Sequence, residues 1–503
     1  MKTLLCATQD GIDAKPVDVE VAYVRGLPSF SIVGLAQTSI QESKERVKSA
    51  LSSIDFKFPT QKVTVNLSPS DLKKEGSHFD LPIALLIALQ NESVDFKDFI
   101  ALGELGLDGT LKDTSSIYTL VLSLANAGKI KNIVIPKESL SKISNIPNIN
   151  IYAPSNLKEA IELFKDPKSF PKHTPKIDIK AKTLKIDKEY YYHEEYPLDF
   201  LDVKGQESAK RASLIAAAGM HNILYEGSPG CGKSMCAKRV PYIMPPMSLE
   251  EILTNAKLQS LYKNEPTFEP KRIFRSPHRS SSASSIFGGG SKNAQIGEIA
   301  LCGNGGVLFF DEFPYFGKSI LESLRQPLED HKLLISRVNS KIEYQAKFLF
   351  IAAMNPCPCG NLLSSNKNCR CSEVEINRYN NRLSAPVLDR IDLFVQMDET
   401  DPHDMPTISS KEMHMKVLSA FKMQKERGQT ELNGKIDDKE IAKFCILDDE
   451  SKEILDQSAR RFGLSQRAIN KILKVSRTIA DLDSSQSIKK GHTLEALRFR
   501  MKK

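Results

Sequence analysis

Apolar and polar residues alternate along short stretches in the first third of the chain. Residues 17–24 read Val-Asp-Val-Glu-Val-Ala-Tyr-Val, and residues 63–67 repeat this period of two, which is typical of half-buried strands. The run from 79 to 89 is almost wholly apolar, and Pro82 near its start favours a buried helix. Together these patterns predict a mixed α+β domain over residues 1–164.

Short apolar runs in the middle of the chain predict a second kind of domain. Residues 221–226 favour a buried strand, and a helix can follow from Met235. Residues 307–310 are four apolar residues in succession, which is typical of a strand covered on both faces in a parallel sheet. We therefore predict an α/β domain over residues 199–402.

The C-terminal region has the period of helices. Apolar residues recur near helical spacing, and the segments 440–444, 451–462 and 466–480 each predict a helix. We expect a helical lid over residues 403–503, with Arg477 on its solvated face.

Two polar segments interrupt these patterns. Residues 165–198 are rich in Lys and Pro without a sustained period, which is typical of a linker. Residues 272–299 also lack a hydrophobic period and predict an inserted loop or hairpin. Its Arg275 and Arg279, among small hydroxyl residues, suit contacts with a DNA backbone, although an ordinary surface loop explains this composition equally well.

A second hairpin is predicted between residues 333 and 351, where two apolar runs flank a polar turn. Arg337 and Lys341 lie at its tip. Such a hairpin can project into the pore of a ring and contact DNA there, but two basic residues are also common at the tip of any exposed hairpin.

A phosphate-binding motif follows the strand at 221–226. The pattern G-x-x-x-x-G-K-[ST] is formed by Gly227, Ser228, Pro229, Gly230, Cys231, Gly232, Lys233 and Ser234. Glycines let the backbone wrap around phosphate oxygens, and the following helix adds the positive end of its dipole. We predict that ATP binds here, with Lys233 at the β- and γ-phosphates and the Ser234 hydroxyl on Mg²⁺.

Polar side chains follow two later strands. Asp311 and Glu312 end the run at 307–310, and Asn355 follows the strand that ends near residue 351. Because α/β folds place ligand-binding groups at the carboxyl ends of their strands, we predict that Asp311 organises the Mg²⁺ shell. Glu312 is predicted to polarise the attacking water, and Asn355 to hold it.

Composition and charge narrow the class of protein. A chain of 503 residues suggests about three domains. Its composition, with 41% hydrophobic and 26% charged residues, excludes a disordered protein. No apolar run approaches the roughly 20 residues of a membrane helix, and the N-terminus does not resemble a signal peptide, so we expect a cytoplasmic protein without membrane contacts. A net charge of +8 permits a nucleic-acid partner without establishing one.

Nine cysteines in a cytoplasmic chain argue against a disulfide framework. Four of them form two C-x-C pairs, which are Cys357, Cys359, Cys369 and Cys371. Four thiolates satisfy tetrahedral zinc, and the short intervening loop can bring the pairs together. The spacing differs from the common C-x₂-C pattern, so structural Zn²⁺ and reduced free cysteines are both open from these residues alone.

Two arginines are candidates for transition-state contacts. Arg390 falls after a helix and before a strand, where it can reach a neighbouring subunit's γ-phosphate in an oligomer or form a surface ion pair in a monomer. Arg467 begins the last predicted helix and can contact nucleotide.

The first domain resembles the catalytic domain of Lon proteases. The resemblance rests on Lys-Glu-Gly (74–76), Gly-Glu-Leu-Gly-Leu-Asp-Gly (103–109) and the stretch that ends Ile-Val-Ile-Pro-Lys (133–137). Aligned on these landmarks, the serine nucleophile of that family falls on His78 and its lysine on Tyr118. The resemblance therefore implies a Lon-like (ribosomal S5 domain 2-like) fold without peptidase activity.

The remaining motifs resemble the helix-insert branch of AAA+ ATPases. Together with the Lon-like front, Arg-Ser-Pro-His-Arg (275–279), Gly-Gly-Val-Leu-Phe-Phe-Asp-Glu (305–312) and Met-Asn-Pro-Cys-Pro-Cys-Gly (354–360) resemble the bacterial ComM (YifB) family. The family's Walker motifs fall on the residues described above, with Asn355 as sensor 1, Arg390 as an arginine finger acting in trans and Arg467 as sensor 2.

That resemblance implies a Mg-chelatase-like AAA+ motor, usually hexameric, which hydrolyses ATP at subunit interfaces. The family's activity is that of a DNA helicase promoting branch migration in natural transformation and recombination, so branched or single-stranded DNA and recombination proteins are the expected partners. The alternative is a chelatase- or MoxR-like ATPase that remodels a protein and has no DNA activity. An ATP-dependent protease would need the dyad that His78 and Tyr118 replace.

Overall fold

The computed structural model describes residues 2–262, 265–289, 296–336, 341–401 and 403–500. The chain divides into two compact units. The first comprises Met1–Ile179 with Asn255–Phe268, and the second comprises Lys180–Thr254 with Glu269–Lys503.

The first unit is built on a mixed sheet. Its strands are β1 (Thr3–Asp10), β2 (Asp13–Val24), β3 (Ser29–Val33), β4 (Lys62–Ser68), β5 (Phe99–Ala101), β6 (Glu104–Leu105), β7 (Leu111–Lys112), β8 (Asn132–Val134) and β9 (Asn150–Tyr152). Its helices are α1 (Thr38–Ser53), α2 (Asp80–Ala88), α3 (Ile117–Asn126), α4 (Leu140–Ile143) and α5 (Leu157–Lys165). Seven strands pair in the order β3-β4-β2-β1-β5-β8-β9, and β2 is antiparallel to both of its neighbours.

The hydrophobic pattern of this unit predicts its elements well. Every second residue of β2 from Val17 to Val21 is buried, as the alternation requires, and β4 repeats this pattern. Helix α2 is buried along its whole length up to Ile87, which explains why its apolar run has no polar face. The one carboxylate in its first turn, Asp80, is also buried and accepts a hydrogen bond from Arg46 Nε at 2.6 Å.

The two positions that replace the Lon-type dyad are both internal. His78 is 1% exposed, and its Nε2 lies 2.8 Å from the Ala7 carbonyl oxygen. Burial lowers the pKa of His78 to about 4, so the imidazole is neutral. Tyr118 is 2% exposed, and its ring meets Phe268 edge-on with centroids 5.5 Å apart. Both side chains therefore pack as core residues.

The second unit contains an α/β core and a helical C-terminal region. Its strands are β10 (Lys182–Lys185), β11 (Glu189–Tyr192), β12 (Ile223–Gly227), β13 (Met247–Ser248), β14 (Phe274–Arg275), β15 (Val307–Phe310), β16 (Lys332–Ser336), β17 (Lys341–Gln345), β18 (Leu349–Met354) and β19 (Leu393–Met397). Its helices are α6 (Glu207–Gly219), α7 (Lys233–Arg239), α8 (Leu249–Leu261, whose last residues belong to the first unit), α9 (Ala283–Phe287), α10 (Glu298–Leu301), α11 (Lys318–Ser323), α12 (Arg325–Asp330), α13 (Glu373–Asn380), α14 (Ala385–Leu388), α15 (Ser410–Glu426), α16 (Asp438–Phe444), α17 (Asp449–Phe462), α18 (Gln466–Leu482) and α19 (Lys490–Arg500).

Five parallel strands form the central sheet of the second unit, in the order β14-β15-β18-β12-β19. All residues of β15 and β18 are buried, which matches their continuous apolar sequences. Because β15, β18 and β12 are neighbours and run in the same direction, Phe310, Met354 and Gly227 end at the same edge of the sheet. That edge carries the candidate site.

The segment predicted as a linker contains regular structure. Strands β10 and β11 form a hairpin, and β11 pairs with β13 in the second unit. Tyr190 and Tyr191 are buried, and the Tyr190 ring packs edge-on against Phe421 with centroids 4.9 Å apart. This aromatic burial outweighs the polar composition from which the linker was predicted, so residues from Lys180 onward belong to the second unit.

The polar segment 272–299 also differs from the expectation of a loop outside the core. Its first residues form β14, the edge strand of the central sheet, with Phe274 paired to Val307. Two short helices, α9 and α10, follow. A strand of two residues is too short to produce a hydrophobic period, which is why the sequence gives no sign of it.

The sequence predicts Arg477 on a solvated face, and this prediction is wrong. Its side chain is 0% exposed and pairs with the equally buried Asp481 at 2.9 Å. Arg427 donates two further hydrogen bonds to Asp481, at 2.8 and 2.9 Å. A buried arginine needs such partners, and this network joins the residue that caps the C-terminus of α15 to α18.

Candidate nucleotide site

The phosphate-binding motif lies between β12 and α7, as the sequence predicts, and we call residues 227–234 the nucleotide loop. Gly232 caps α7 with a φ of +97°, a backbone conformation that favours glycine. At Gly227 a Cβ atom would lie 2.5 Å from the Met397 carbonyl oxygen on the neighbouring strand. Both glycines are therefore required by the backbone path, which leaves N–H groups at the N-terminus of α7 for an anion.

Lys233 is folded against the loop that carries it. Its Nζ donates to the Gly227 and Ser228 carbonyl oxygens at 2.5 and 2.9 Å, and to Asn355 Oδ1 at 3.2 Å. The side chain is 9% exposed, and burial lowers the pKa of Lys233. These bonds hold the ammonium group between the loop and the end of β18, where it can reach a phosphate group bound in the loop.

Two oxygen groups suited to Mg²⁺ meet at this edge of the sheet. The Ser234 hydroxyl donates to Asp311 Oδ2 at 2.9 Å, which joins the start of α7 to the end of β15. The other carboxylate oxygen, Oδ1, accepts the backbone N–H of Glu312 at 2.9 Å. Hydroxyl and carboxylate oxygens are hard ligands of the kind that Mg²⁺ prefers, so this pair fits the predicted ion.

Glu312 is held by the insert rather than by the nucleotide loop. Its backbone is left-handed, with a φ of +52°. Arg279 Nη1 donates to Glu312 Oε2 at 2.5 Å, and the two side chains are each about half exposed. The Arg279 guanidinium also lies over the ring of Tyr315, 5.8 Å from its centroid. The residue predicted to polarise water therefore pairs with a residue that the sequence makes a candidate for DNA contact.

The four clustered cysteines come together. Their Sγ atoms lie within 4.8 Å of one another, and the separations among Cys357, Cys359 and Cys369 are 3.4, 3.7 and 3.6 Å. A zinc ion bound tetrahedrally at about 2.3 Å requires sulfur separations of about 3.8 Å. The geometry thus fits a tetrahedral thiolate site.

The cysteine cluster adjoins the nucleotide loop. A Cβ at Gly360, the residue after the first C-x-C pair, would lie 2.6 Å from Pro229 Cδ and 3.7 Å from Asn355 Nδ2. Backbone N–H groups, first that of Asn361, lower the pKa of Cys359 to about 6 and so favour its thiolate. The loop after the first C-x-C pair therefore lies beside both Asn355 and the phosphate-binding backbone.

Arg390 and Arg467 meet at a shared carboxylate. Both guanidinium groups donate to Glu329, and Arg467 Nη1 also lies 3.4 Å from Asp389 Oδ2. Within the described ranges, neither arginine hydrogen-bonds to residues 227–234, Asp311 or Glu312. The structure therefore brings the two arginines to each other but not to the nucleotide loop of the same chain.

Comparison with known proteins covers nearly the whole chain. The family model for "Magnesium chelatase, subunit ChlI" matches residues 199–405, that for "Subunit ChlI of Mg-chelatase" matches 19–139, and that for the ChlI C-terminal region matches 407–500. Competence protein ComM of Haemophilus influenzae is 37% identical over 97% of this chain and 95% of its own length. The YifB proteins of Salmonella typhimurium and Escherichia coli are each 36% identical over the same shares.

This chain belongs to the ComM/YifB family of magnesium-chelatase-like AAA+ proteins.

The other residues predicted to bind DNA have different surroundings in this ComM/YifB-family protein. Arg275 lies on β14, where its Nε and Nη2 donate to Glu298 at 2.5 and 2.8 Å. Lys341 begins β17, whose pairing with β16 confirms the predicted hairpin. Arg337 lies outside the described residues, and nothing follows for its contacts.

One residue of the site, Glu329, is not predicted from the sequence. Glu329, near the end of α12, joins Arg390 to Arg467, but a single acidic residue in a helical stretch carries no signal of such a role. The described helices also include none that is long and apolar enough to cross a membrane.

Proposed function

We propose that this protein is a Mg²⁺-dependent ATPase motor, hexameric when active, which moves along branched DNA and promotes branch migration. The observation that carries the ATPase assignment is the meeting of Lys233 and Ser234, after β12, with Asn355 after β18 and Asp311 after β15 at one edge of the parallel sheet. Such an arrangement is what phosphoryl transfer from a nucleotide requires, because catalysis there depends mainly on positioning and charge.

In the proposed reaction, a water oxygen attacks the γ-phosphorus of ATP, and the bond to the β–γ bridging oxygen breaks. Glu312 accepts the proton of the attacking water, and Lys233 stabilises charge on the β- and γ-phosphate oxygens. Asn355 orients the water. Ser234 and Asp311 would hold Mg²⁺, which neutralises charge on the phosphates.

Arg390 completes this site from a neighbouring subunit in the proposal. Its contacts with Glu329, away from the nucleotide loop of its own chain, support a role in trans. Arg467 shares that carboxylate and is proposed to act on the same neighbouring nucleotide. The oligomer is therefore part of the proposed active site.

Two observations support DNA as the proposed substrate. The relative in Haemophilus influenzae is named a competence protein, and this chain carries a net charge of +8. We infer that the 272–299 insert and the β16–β17 hairpin contact the DNA backbone, with Arg279 linking DNA contact to Glu312. Recombination proteins are the proposed protein partners.

Two further parts of the protein have structural roles in this proposal. The cysteine cluster would hold Zn²⁺ and order the loop beside Pro229. The first unit is proposed to be a Lon-like domain without peptidase activity, because His78 and Tyr118 are buried core residues. A cytoplasmic location follows from a DNA substrate.

The three chelatase family matches favour one alternative, an ATPase that remodels a protein and does not act on DNA. The deciding experiment measures ATP hydrolysis by the purified protein alone and with single-stranded, duplex and four-way-junction DNA, with Lys233→Ala as the blank. Strong stimulation by junction DNA supports the DNA motor. Hydrolysis that is robust and indifferent to every DNA supports the protein-remodelling alternative.

A further inference from the structure

A polar cavity of about 390 Å³ lies in the second unit, on the side of Arg390 and Arg467. It extends between the end of α12, the segment 434–438 that leads into α16, and one face of α18. The basic and polar side chains that line it include His331, Arg390, Lys435, Arg467, Lys471 and Lys474.

Lys435 is the most unusual member of this lining. It is 6% exposed, and no carboxylate of the described residues lies within 4 Å of its Nζ. The described part of the chain also offers this Nζ no hydrogen-bond acceptor. Burial lowers the pKa of Lys435 to about 8, which reflects the cost of holding an unpaired ammonium group inside the protein.

One face of α18 adds three more cations. Arg467, Lys471 and Lys474 are spaced i, i+4 and i+7, so they lie along the same side of the helix. Lys471 pairs with Asp392 at 2.9 Å, and Lys474 donates to the Ile436 carbonyl oxygen at 2.6 Å. These bonds fix both lysine side chains at the cavity.

Two nitrogen atoms in other residues of the lining also have no hydrogen-bond partner among the described residues. They are His331 Nδ1 and Arg390 Nε, both shielded from solvent. Burial, followed by the charges of Lys435 and other lysines, lowers the pKa of His331 to about 3, so its ring is neutral and Nδ1 is a donor or an acceptor according to the tautomer. Unpartnered buried polar groups are uncommon, and the buried, unpaired Lys435 ammonium group at this cavity points to a missing ligand.

The acidic residues of the lining do not fill this role. Glu329 is engaged by Arg390 and Arg467, and Asp392 by Lys471 and the Asn222 backbone N–H. Asp330, Asp437 and Asp438 are exposed at the rim. Lys474 also pairs with Asp438 at 3.5 Å. Among the described cations of the lining, Lys435 is therefore the one without a carboxylate partner, and an anion such as a phosphate group would supply it.

We propose that this cavity, which we call the Lys435 pocket, is a phosphate-binding site with Lys435 as its central ligand. The ligand is a phosphate group, either free or carried by a nucleotide, and the site is separate from the nucleotide loop. Because Arg390 and Arg467 also line the pocket, a bound phosphate competes with Glu329 for both guanidinium groups. This inference goes beyond the proposed ATPase cycle and does not depend on it.

The test uses the full-length chain with Lys233→Ala, which weakens binding at the nucleotide loop. Calorimetric titrations with inorganic phosphate and with ADP are compared in this background and in the double variants that add Lys435→Met or Lys439→Met. Lys439 is an exposed lysine on α16, four residues after Lys435, and is the matched control. We expect one phosphate to bind per chain. Its affinity should fall at least tenfold with Lys435→Met and stay unchanged with Lys439→Met.

The two ligands and the two double variants distinguish the possible outcomes. Equal affinity for inorganic phosphate and ADP shows that the phosphate group alone is recognised, and binding of ADP alone shows a nucleotide source. Binding unaffected by Lys435→Met, or no binding of either ligand at millimolar concentration, overturns the proposal. If Lys435→Met does not fold, protection of Lys435 from acetic anhydride is measured by mass spectrometry in the Lys233→Ala protein. Lack of protection by both phosphate and ADP overturns the proposal in that case.

Discussion

Arg279 of the insert donates a hydrogen bond to Glu312 at 2.5 Å, which ties the proposed catalytic carboxylate to a candidate DNA contact. A carboxylate engaged in this way is a weaker acceptor for the proton of a water molecule. If DNA attracts Arg279 to its phosphates, Glu312 becomes free. The pair is thus a direct route by which DNA can raise the rate of hydrolysis.

The Arg279→Ala substitution tests this route. We expect ATP hydrolysis without DNA to rise severalfold and stimulation by DNA to fall, because Glu312 no longer depends on DNA for its release. Steady-state hydrolysis with and without junction DNA measures both effects. Arg382→Ala is the control, since Arg382 also lies over the Tyr315 ring, 5.3 Å from its centroid, but does not bond to Glu312. Unchanged basal hydrolysis in Arg279→Ala would refute the coupling.

The role of Glu312 itself is tested with Glu312→Gln. Loss of a positioned general base costs about 10²- to 10⁴-fold in rate, so we expect kcat to fall by that range. Binding of a fluorescent ATP analogue should remain, because Lys233 and the nucleotide loop are unchanged. A variant that hydrolyses ATP at the wild-type rate would exclude Glu312 as the base.

Mixing two inactive variants tests whether Arg390 acts in trans. Lys233→Ala subunits retain Arg390, and Arg390→Ala subunits retain Lys233, so an interface between them can contain one complete site. We expect each variant alone to be inactive and the mixture to hydrolyse ATP, with a mixture of Lys233→Ala and Glu312→Gln as the control that restores none. A mixture without activity would contradict the placement of Arg390 at a neighbour's nucleotide.

The cysteine cluster is tested by its metal content. We expect mass spectrometry of the purified protein to find about one Zn²⁺ per chain. The Cys357→Ser variant should lose this metal. It should also lose much of its affinity for nucleotide, because the loop beside Pro229 loses its order. Cys445→Ala removes a buried thiol outside the cluster and should leave the metal in place. Full ATP binding in a metal-free Cys357→Ser protein would show that the cluster does not support the site.

Buried histidines make the second unit sensitive to acid. Burial lowers the pKa of His221 to about 4, below the unfolded value of about 6.5, so the unfolded chain binds more protons between these values. Stability is therefore lost as pH falls from about 6.5 to 4, by about 3 kcal/mol for such a group at about 1.4 kcal/mol per pKa unit.

Denaturant unfolding at several pH values checks this expectation. His221→Gln should reduce the loss between pH 6.5 and 4, although removal of the bond between His221 Nε2 and Thr478 Oγ1, at 2.7 Å, lowers stability at neutral pH. His403→Gln, at an exposed position, is the matched control. An identical pH dependence in His221→Gln and the wild type would contradict the assignment.

The sequence predicts the part of the site that local chemistry determines. The glycines and Lys233 of the nucleotide loop, and the apolar strands β12, β15 and β18, are recognisable because motif and hydrophobic pattern both depend on residues close together in the chain. Long-range pairs leave no such pattern. The Arg279–Glu312 and Arg467–Glu329 contacts join residues that are far apart in the sequence. The sequence also predicts Arg477 on the surface, because the Arg427–Asp481 ion pair beside it forms only when the end of α15 packs on α18.

The most direct test of ATP-driven branch migration uses a synthetic four-way junction with homologous arms. Movement of its branch point is measured by the separation of fluorescently labelled strands. We expect branch migration that requires ATP and Mg²⁺ and is abolished by Lys233→Ala and by Glu312→Gln. ATP hydrolysis by the wild-type protein on the same junction without any strand movement would contradict it.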